Sequence, residues 1–197
     1  PPMQNAALAA MARTDARFAS WKYFRFDIAP EDLPSALPKF HERGFKGLNL
    51  TVPHKILARD LIEDEDITIP ARQVGAVNTL LRKDAKWIGY NTDGYGLANA
   101  VTEDLKHELG GSDVILLGSG GAARGAAVEC ARRHSSSLWI INRTPKTAYD
   151  LAALVKDIDP KLPVKICTAA DLSALPPRAL VINATSAGLR PDDPLPV

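Results

Sequence analysis

Lys55 closes the segment GLNLTVPHK, Asn78 lies in GAVNT and Asp93 in NTDG, each where an apolar run gives way to polar residues. An ammonium and a carboxylate brought together can move a proton to or from a bound molecule, and amide and hydroxyl side chains can hold a polyol. Asn49 and Thr51 of the lysine segment are two residues apart and so share one face of a strand. Thr79, Asn91 and Thr92 add polar groups of the same kind nearby. Each residue also has a plainer use. Asn and Asp stabilise turns, and Lys55, just beyond Pro53, equally suits a surface charge at a helix start. His54 reads as a residue that packs or bonds locally.

A second chemistry is written in DVILLGSGGAARGAAV, where Gly118, Gly120 and Ala123 follow the pattern G-x-G-x-x-G/A. An apolar strand before it and a helix after it are the context that favours a dinucleotide site over the plainer use, a glycine turn in an α/β domain without ligand. The first glycine permits the tight turn, the second lets backbone approach a pyrophosphate, and a small third residue lets helix pack on sheet. The helix start adds free N–H groups and the positive end of its dipole. The next strand ends LWIINRT, with Asn142, Arg143 and Thr144 where an NAD site usually keeps an acid. A carboxylate would repel a 2′-phosphate, whereas an arginine can pair with it twice, so NADP is expected. An exposed arginine after a strand is the plainer use.

Elements must hold these groups. Alanine-rich residues 2–13 predict a helix, the aromatic run ASWKYFRFDI a strand, and PEDLPSALPKFHERG a helix that Pro38 kinks or shortens. FKGLNLTV reads as the second strand, HKILARDLI as a helix, and GAVNTLLR and KWIGYNT as strands joined by KDA. YGLANAVTEDLKHELG predicts one amphipathic helix up to Gly110–Gly111. Beyond it come strand, glycine turn and helix, then SLWIINRT, PKTAYDLAALVKDI, VKICTA, a helical stretch near DLSAL, and ALVINATSAG. This alternation predicts parallel pairing and an α/β class in two domains, the second a doubly wound Rossmann-type sheet. The boundary falls in or near helix 95–109, giving units of 1–94 and 95–197.

Composition narrows the function classes. With 24 basic and 23 acidic side chains among 197 residues the net charge is +1, which gives no reason to expect nucleic acid or an anionic membrane as partner. No apolar run approaches the roughly 18–20 residues of a membrane helix. Cys130 and Cys167 have no metal-ligand or CxxC spacing, so no metal is expected, and so few cysteines fit a reducing compartment, the cytoplasm. The start PPMQNAAL has neither an initiator methionine nor a signal pattern and reads as clipped. Oligomeric state, monomer or homodimer, is not legible.

GLNLTVPHK, VGAVNTL, IGYNTDGYG, LLGSGGAAR, INRT and INATSAGL occur in this order from the PPMQN start to residue 189, and with them the chain resembles the shikimate dehydrogenase family. The resemblance implies reversible reduction of 3-dehydroshikimate to shikimate on the route to chorismate and the aromatic amino acids, with NADP as cofactor. It implies Lys55 as the acid–base group and Asp93 as its partner and a ligand of a substrate hydroxyl, with Asn49, Thr51 and Asn78 around the substrate. It implies that Gly118, Ser119, Gly120, Gly121 and Ala122, then Asn142, Arg143 and Thr144, then Ala184, Thr185 and Ser186 line the cofactor. Three departures accompany it. The family's Ser-x-Ser-Pro strand is expected ahead of Pro1, and further strand and helix, with a substrate-binding glutamine, beyond Val197. NRTPKT places Thr147 where a second base often sits, with Lys146 one residue early, which implies a weaker preference for NADP. The nearest rival is a quinate or dual quinate/shikimate dehydrogenase, against which Arg143 speaks by favouring NADP. NTDG and INATSAG argue against a methylene-tetrahydrofolate dehydrogenase-like enzyme. A sensor on the same fold would have no need of both Lys55 and Asp93.

Overall fold

Proline at a first helical position loses only an N–H that would have gone unpaired, and the chain begins on this device: helix α1 spans Pro2–Met11. The computed structural model describes residues 1–188 and 192, so the end of INATSAGL, at Leu189, lies outside the described residues. After a 3-10 turn at Pro30–Asp32, helix α2 (Leu33–Glu42) continues through Pro38 and is not cut short by it, ending ahead of Gly44 at φ +79°. Strand β1 (Gly47–Asn49) leads through the cis Val52–Pro53 bond into helix α3 (His54–Asp60). A short helix α4 (Ile69–Val74), not anticipated from the sequence, closes on Gly75 in the left-handed conformation. Strands β2 (Thr79–Lys83) and β3 (Lys86–Tyr90) follow as the expected hairpin.

These strands form one sheet, ordered β1-β2-β3, with both pairings antiparallel. Parallel pairing in this half is limited to an isolated bridge between Ile67 and Gly89 among the described residues. Beneath the sheet Leu33, Leu37, Ala58, Ile67, Ala71, Val77, Leu80 and Trp87 make one core, and Trp87 Nε1 donates to Leu37 O at 3.1 Å. The aromatic run at 20–28 departs from expectation, since residues 21–29 form neither strand nor helix. Phe26 packs edge-on against Phe40 and Phe45, and Tyr23 is tied through its backbone to Asn5. Aromatic residues suit a half-buried pleated surface, yet only a neighbouring ladder makes a strand, and this segment has none among the described residues.

Helix α5 (Asp93–Glu103) starts two residues earlier than expected and ends well before the paired glycines. Lys106, at φ +54°, is already outside any helical path. Strand β4 (Asp113–Leu117), helix α6 (Gly121–Arg132), strand β5 (Ser137–Ile141), helix α7 (Pro145–Ile158), strand β6 (Val164–Cys167) and strand β7 (Leu180–Asn183) then alternate. All three pairings are parallel, in the order β6-β5-β4-β7. Near-continuous apolar strands are what burial on both faces demands. Val114, Leu116, Leu138 and Ile140 meet Ala123, Ala127 and Cys130 of α6 and Leu151 and Val155 of α7, while Ile115, Leu117, Trp139 and Ile141 meet Leu175 and Ala179 on the other face. Cys130 belongs to this packing, and burial pushes its thiol up to about 12, out of the range of a working nucleophile. The chain winds from β4 outward to β6, then returns to add β7 on the other side of β4. That reversal opens a crevice at the carboxyl ends of β4 and β7, the usual ligand position in such sheets.

Candidate active site

Asp93 is the first residue of α5, and the Asn91 side chain holds its position by accepting from Asp93 N–H at 3.1 Å. A carboxylate at a helix start is favoured by the dipole. Lys55 sits in the first turn of α3, and its carbonyl accepts from Val77 N–H at 2.9 Å, which fastens α3 to the segment carrying Asn78. Lys55 Nζ donates to Asp93 Oδ2 at 2.7 Å, with side-chain exposures of 27% and 46%. The pair is therefore assembled yet open to a small molecule.

Asn78, 7% exposed, is the buried anchor beneath it. Its Nδ2 donates to Asp93 Oδ1 at 2.8 Å and Thr92 Oγ1 at 3.1 Å, and its Oδ1 accepts from Thr92 N–H and Thr79 Oγ1–H. Thr79 Oγ1 accepts in turn from Asn49 Nδ2 at 3.2 Å, and Asn49 Oδ1 accepts from Tyr23 O–H at 3.1 Å. One hydrogen-bonded chain thus links Tyr23, Asn49, Thr79, Asn78, Asp93 and Lys55. Thr51 is not part of it. Thr51 and His54 lie instead on the rim of a cavity of about 670 Å³ whose walls include Phe24, Phe26, Phe40 and Leu48. Tyr23 and Asn49 line the same cavity while Lys55 and Asp93 are not among its walls, so the polar chain runs from the cavity to the pair. His54 Nδ1 is buried without a partner among the described residues, which fits packing better than proton transfer. Tyr23 was missed by sequence reasoning. Its only signal was aromatic, and its partner lies 26 residues away.

The glycine-rich turn leaves β4 at Gly118, whose φ of +102° excludes most side chains. A Cβ there would stand 3.0 Å from Thr185 Cγ2 and 3.1 Å from Ala184 O, so β7 presses on the turn from one side. Ala184 N–H donates to Leu117 O at 2.9 Å, and Asn183 Oδ1 accepts from both Thr185 N–H and Thr185 Oγ1–H. Ser186 is exposed beside them. A Cβ on Gly120 or Gly121 would meet nothing within 4 Å, so a clear space lies against this backbone. The first helical N–H with an acceptor is that of Arg124, bound to Gly120 O at 2.9 Å; those of Gly121, Ala122 and Ala123 have none among the described residues. An open glycine cradle with unpaired N–H groups fits a pyrophosphate. Across the crevice, Asn142, Thr144 and Thr147 bond to one another and to Ser119, while Arg143 and Lys146 are exposed and unpaired among the described residues. Two unpaired cations at that rim suit a phosphate on the ribose.

Helix α5 crosses α6 glycine against glycine, and this brings the two sites together. A Cβ on Gly125 would lie 3.9 Å from Asp93 Cβ, so the Lys55–Asp93 pair stands against the helix that opens at the cradle. A methyl on Gly94 would fall 3.0 Å from Gly125 O and 3.3 Å from Glu129 Cβ. Gly94→Ala is expected to lower the melting temperature by several degrees, since overpacking costs about 1–3 kcal/mol. Gly125→Ala, in ordinary contact, should leave it unchanged or raise it. Thermal melts of the two variants decide this, and equal melting temperatures would remove the crossing as the constraint.

A four-stranded parallel sheet with a glycine cradle at its switch point, set against a smaller α/β unit that carries a lysine–aspartate pair, is a two-domain protein of Rossmann-like architecture. The family model for the shikimate dehydrogenase substrate binding domain matches residues 1–80. Over 151 residues the chain is 42% identical to a shikimate dehydrogenase (NADP(+)) of Geobacter metallireducens, covering 77% of this chain and 50% of that one. It is 36% identical over 201 residues to the shikimate dehydrogenase (NADP(+)) of Moorella thermoacetica, covering 100% of this chain and 65% of the relative. The crystal structure of shikimate 5-dehydrogenase from Listeria monocytogenes in complex with shikimate and NAD superposes with a TM-score of 0.82 at 25% identity, over 97% of this chain and 65% of that one. The chain is thus similar to shikimate dehydrogenases along its length, and residues 1–80 match the substrate binding domain of that family. It spans between half and about two thirds of the length of these relatives.

Proposed function

We propose that this chain carries the working parts of an NADP-dependent shikimate dehydrogenase of the aromatic amino-acid pathway, reducing 3-dehydroshikimate reversibly to shikimate in the cytoplasm. Residues 1–94 are the substrate-binding unit and 95–197 the NADP-binding unit. The observation that carries this reading is the 2.7 Å Lys55–Asp93 pair, held from below by Asn78 and set against the helix of the glycine cradle. Both curated relatives bear the name NADP(+)-dependent, and the Listeria protein was crystallised with shikimate, which supports the same substrate class here.

Bound NADPH would supply a hydride to the ring ketone carbon. Negative charge then develops on the carbonyl oxygen, and Lys55 as ammonium donates a proton to it; in the reverse direction the neutral amine takes that proton back. Asp93 keeps the ammonium aimed and accepts from a substrate hydroxyl, and Asn49 and Thr51 provide amide and hydroxyl contacts to the ring, while Asn78, its amide already spent on Asp93, Thr92 and Thr79, acts by holding Asp93. Gly118, Ser119, Gly120, Gly121 and Ala122 receive the pyrophosphate, with Ala184, Thr185 and Ser186 as the facing wall. Asn142, Arg143, Thr144, Lys146 and Thr147 form the ribose side. Arg143 and Lys146 supply the charge for the 2′-phosphate. Thr147, occupied in hydrogen bonds, supplies none.

The test is turnover at the reduced-nicotinamide absorbance band with shikimate and with quinate, each with NADP and with NAD, on the full chain. The highest kcat/KM is expected for shikimate with NADP. Preference for quinate or NAD would transfer the protein to the rival dehydrogenases, and dinucleotide binding without any turnover would leave a sensor.

A further inference from the structure

Thr147 was expected to mark a missing base, yet its hydroxyl is the centre of a polar knot. That oxygen has one proton and two lone pairs, and every one is used. It donates to Thr144 O at 3.0 Å, one turn back in α7. Having spent its proton there, it accepts from Asn142 Nδ2 at 3.0 Å and from Ser119 O–H at 2.7 Å. The second Asn142 amide hydrogen goes to Thr144 O at 2.8 Å. A carbonyl can be served only by a donor, so this bond also fixes which way the Asn142 amide faces. The contact between Ser119 and Thr147 spans 28 residues and joins the turn after β4 to the first turn of α7, just past the loop after β5. These two loops flank the crevice, and a dinucleotide must touch both.

We infer that Thr147 is a positioning residue for the dinucleotide: through Ser119 and Asn142 it sets the spacing between the pyrophosphate cradle and the ribose loop. The inference rests on the reading that this site takes a dinucleotide. Its consequence differs from that of a phosphate ligand. A ligand of the 2′-phosphate affects NADP alone, whereas a spacer affects NADP and NAD alike. Thr147→Val keeps the shape but deprives both Ser119 O–H and Asn142 Nδ2 of their acceptor.

The experiment is titration calorimetry of the full chain with NADP+ and with NAD+, without substrate. Thr147→Val is expected to weaken both by a similar factor, about 3- to 10-fold for the hydrogen bonds lost, leaving their ratio as in the wild type. Thr147→Ser should restore both, and Arg143→Ala should weaken NADP+ alone. Ser119→Ala removes one hydroxyl from a half-buried side chain and must also weaken both, which keeps the inference open to refutation should Thr147→Val fail to fold. Unchanged affinity in Thr147→Val and Ser119→Ala, or a loss confined to NADP+, overturns it while the proposed function stands. Wild-type protein that binds neither dinucleotide overturns both readings together.

Discussion

Lys55→Ala is expected to lower kcat with shikimate and NADP by about 10²- to 10⁴-fold, the usual contribution of a positioned proton donor. KM should change much less, because the proposed substrate contacts Asn49, Thr51 and Asp93 remain. The backbone of Lys55 is fixed by its carbonyl bond to Val77 N–H at 2.9 Å, and Asp93 stays fastened to Asn78, so the variant keeps its fold. Lys55→Arg should not restore activity, since a guanidinium holds its proton throughout and cannot act in the reverse direction. Steady-state kinetics in both directions, with circular dichroism to confirm folding, provide the measurement. A kcat within a few-fold of wild type would place the proton donor elsewhere.

Gly118→Ala should be the most damaging small change at the cofactor side. The backbone there is left-handed at φ +102°, and the added methyl would stand 3.0 Å from Thr185 Cγ2 and 3.1 Å from Ala184 O. Strain of this kind costs about 1–3 kcal/mol, equivalent to a fall of several degrees in melting temperature at this size. To relieve it the turn must move away from β7, and the N–H groups of the cradle move with it. Dinucleotide affinity is therefore expected to fall at least tenfold, for NADP+ and NAD+ alike. By contrast, Gly121→Ala places its methyl in open space and tests ligand clearance without strain. If Gly118→Ala binds both dinucleotides as the wild type does, close approach of β7 is not what shapes the site.

Local chemistry explains why the second half was readable. Four successive buried residues in β4, a glycine that must turn, and an alanine-rich helix follow one another without interruption, so each element is specified by its neighbours in the chain. The first half was less readable. Aromatic residues 21–26 looked like a strand because their hydrophobicity suits one, but a strand needs a hydrogen-bonding partner that no local window contains. Helix α4 has only six residues, too few for a period to stand out, and the left-handed Gly75 that ends it is recognisable only from its dihedral angles.

Residue type and short spacing were enough to point to the α/β class, the glycine turn, the candidate pair Lys55 and Asp93, and an arginine proposed for the ribose side. Only the tertiary structure decided how they are joined. Lys55 and Asp93 meet across 38 residues, Asn49 is linked to them through Thr79 and Asn78, and Thr147 reaches Ser119 across 28. The antiparallel order of the smaller sheet is likewise a tertiary fact, as is the packing of Gly94 on Gly125 that sets the Lys55–Asp93 pair against the cradle helix. Residue type sets what a side chain can donate or accept; which partner it reaches depends on how distant segments pack. That is why the candidate groups were legible from the chain alone while the bonds between them were not.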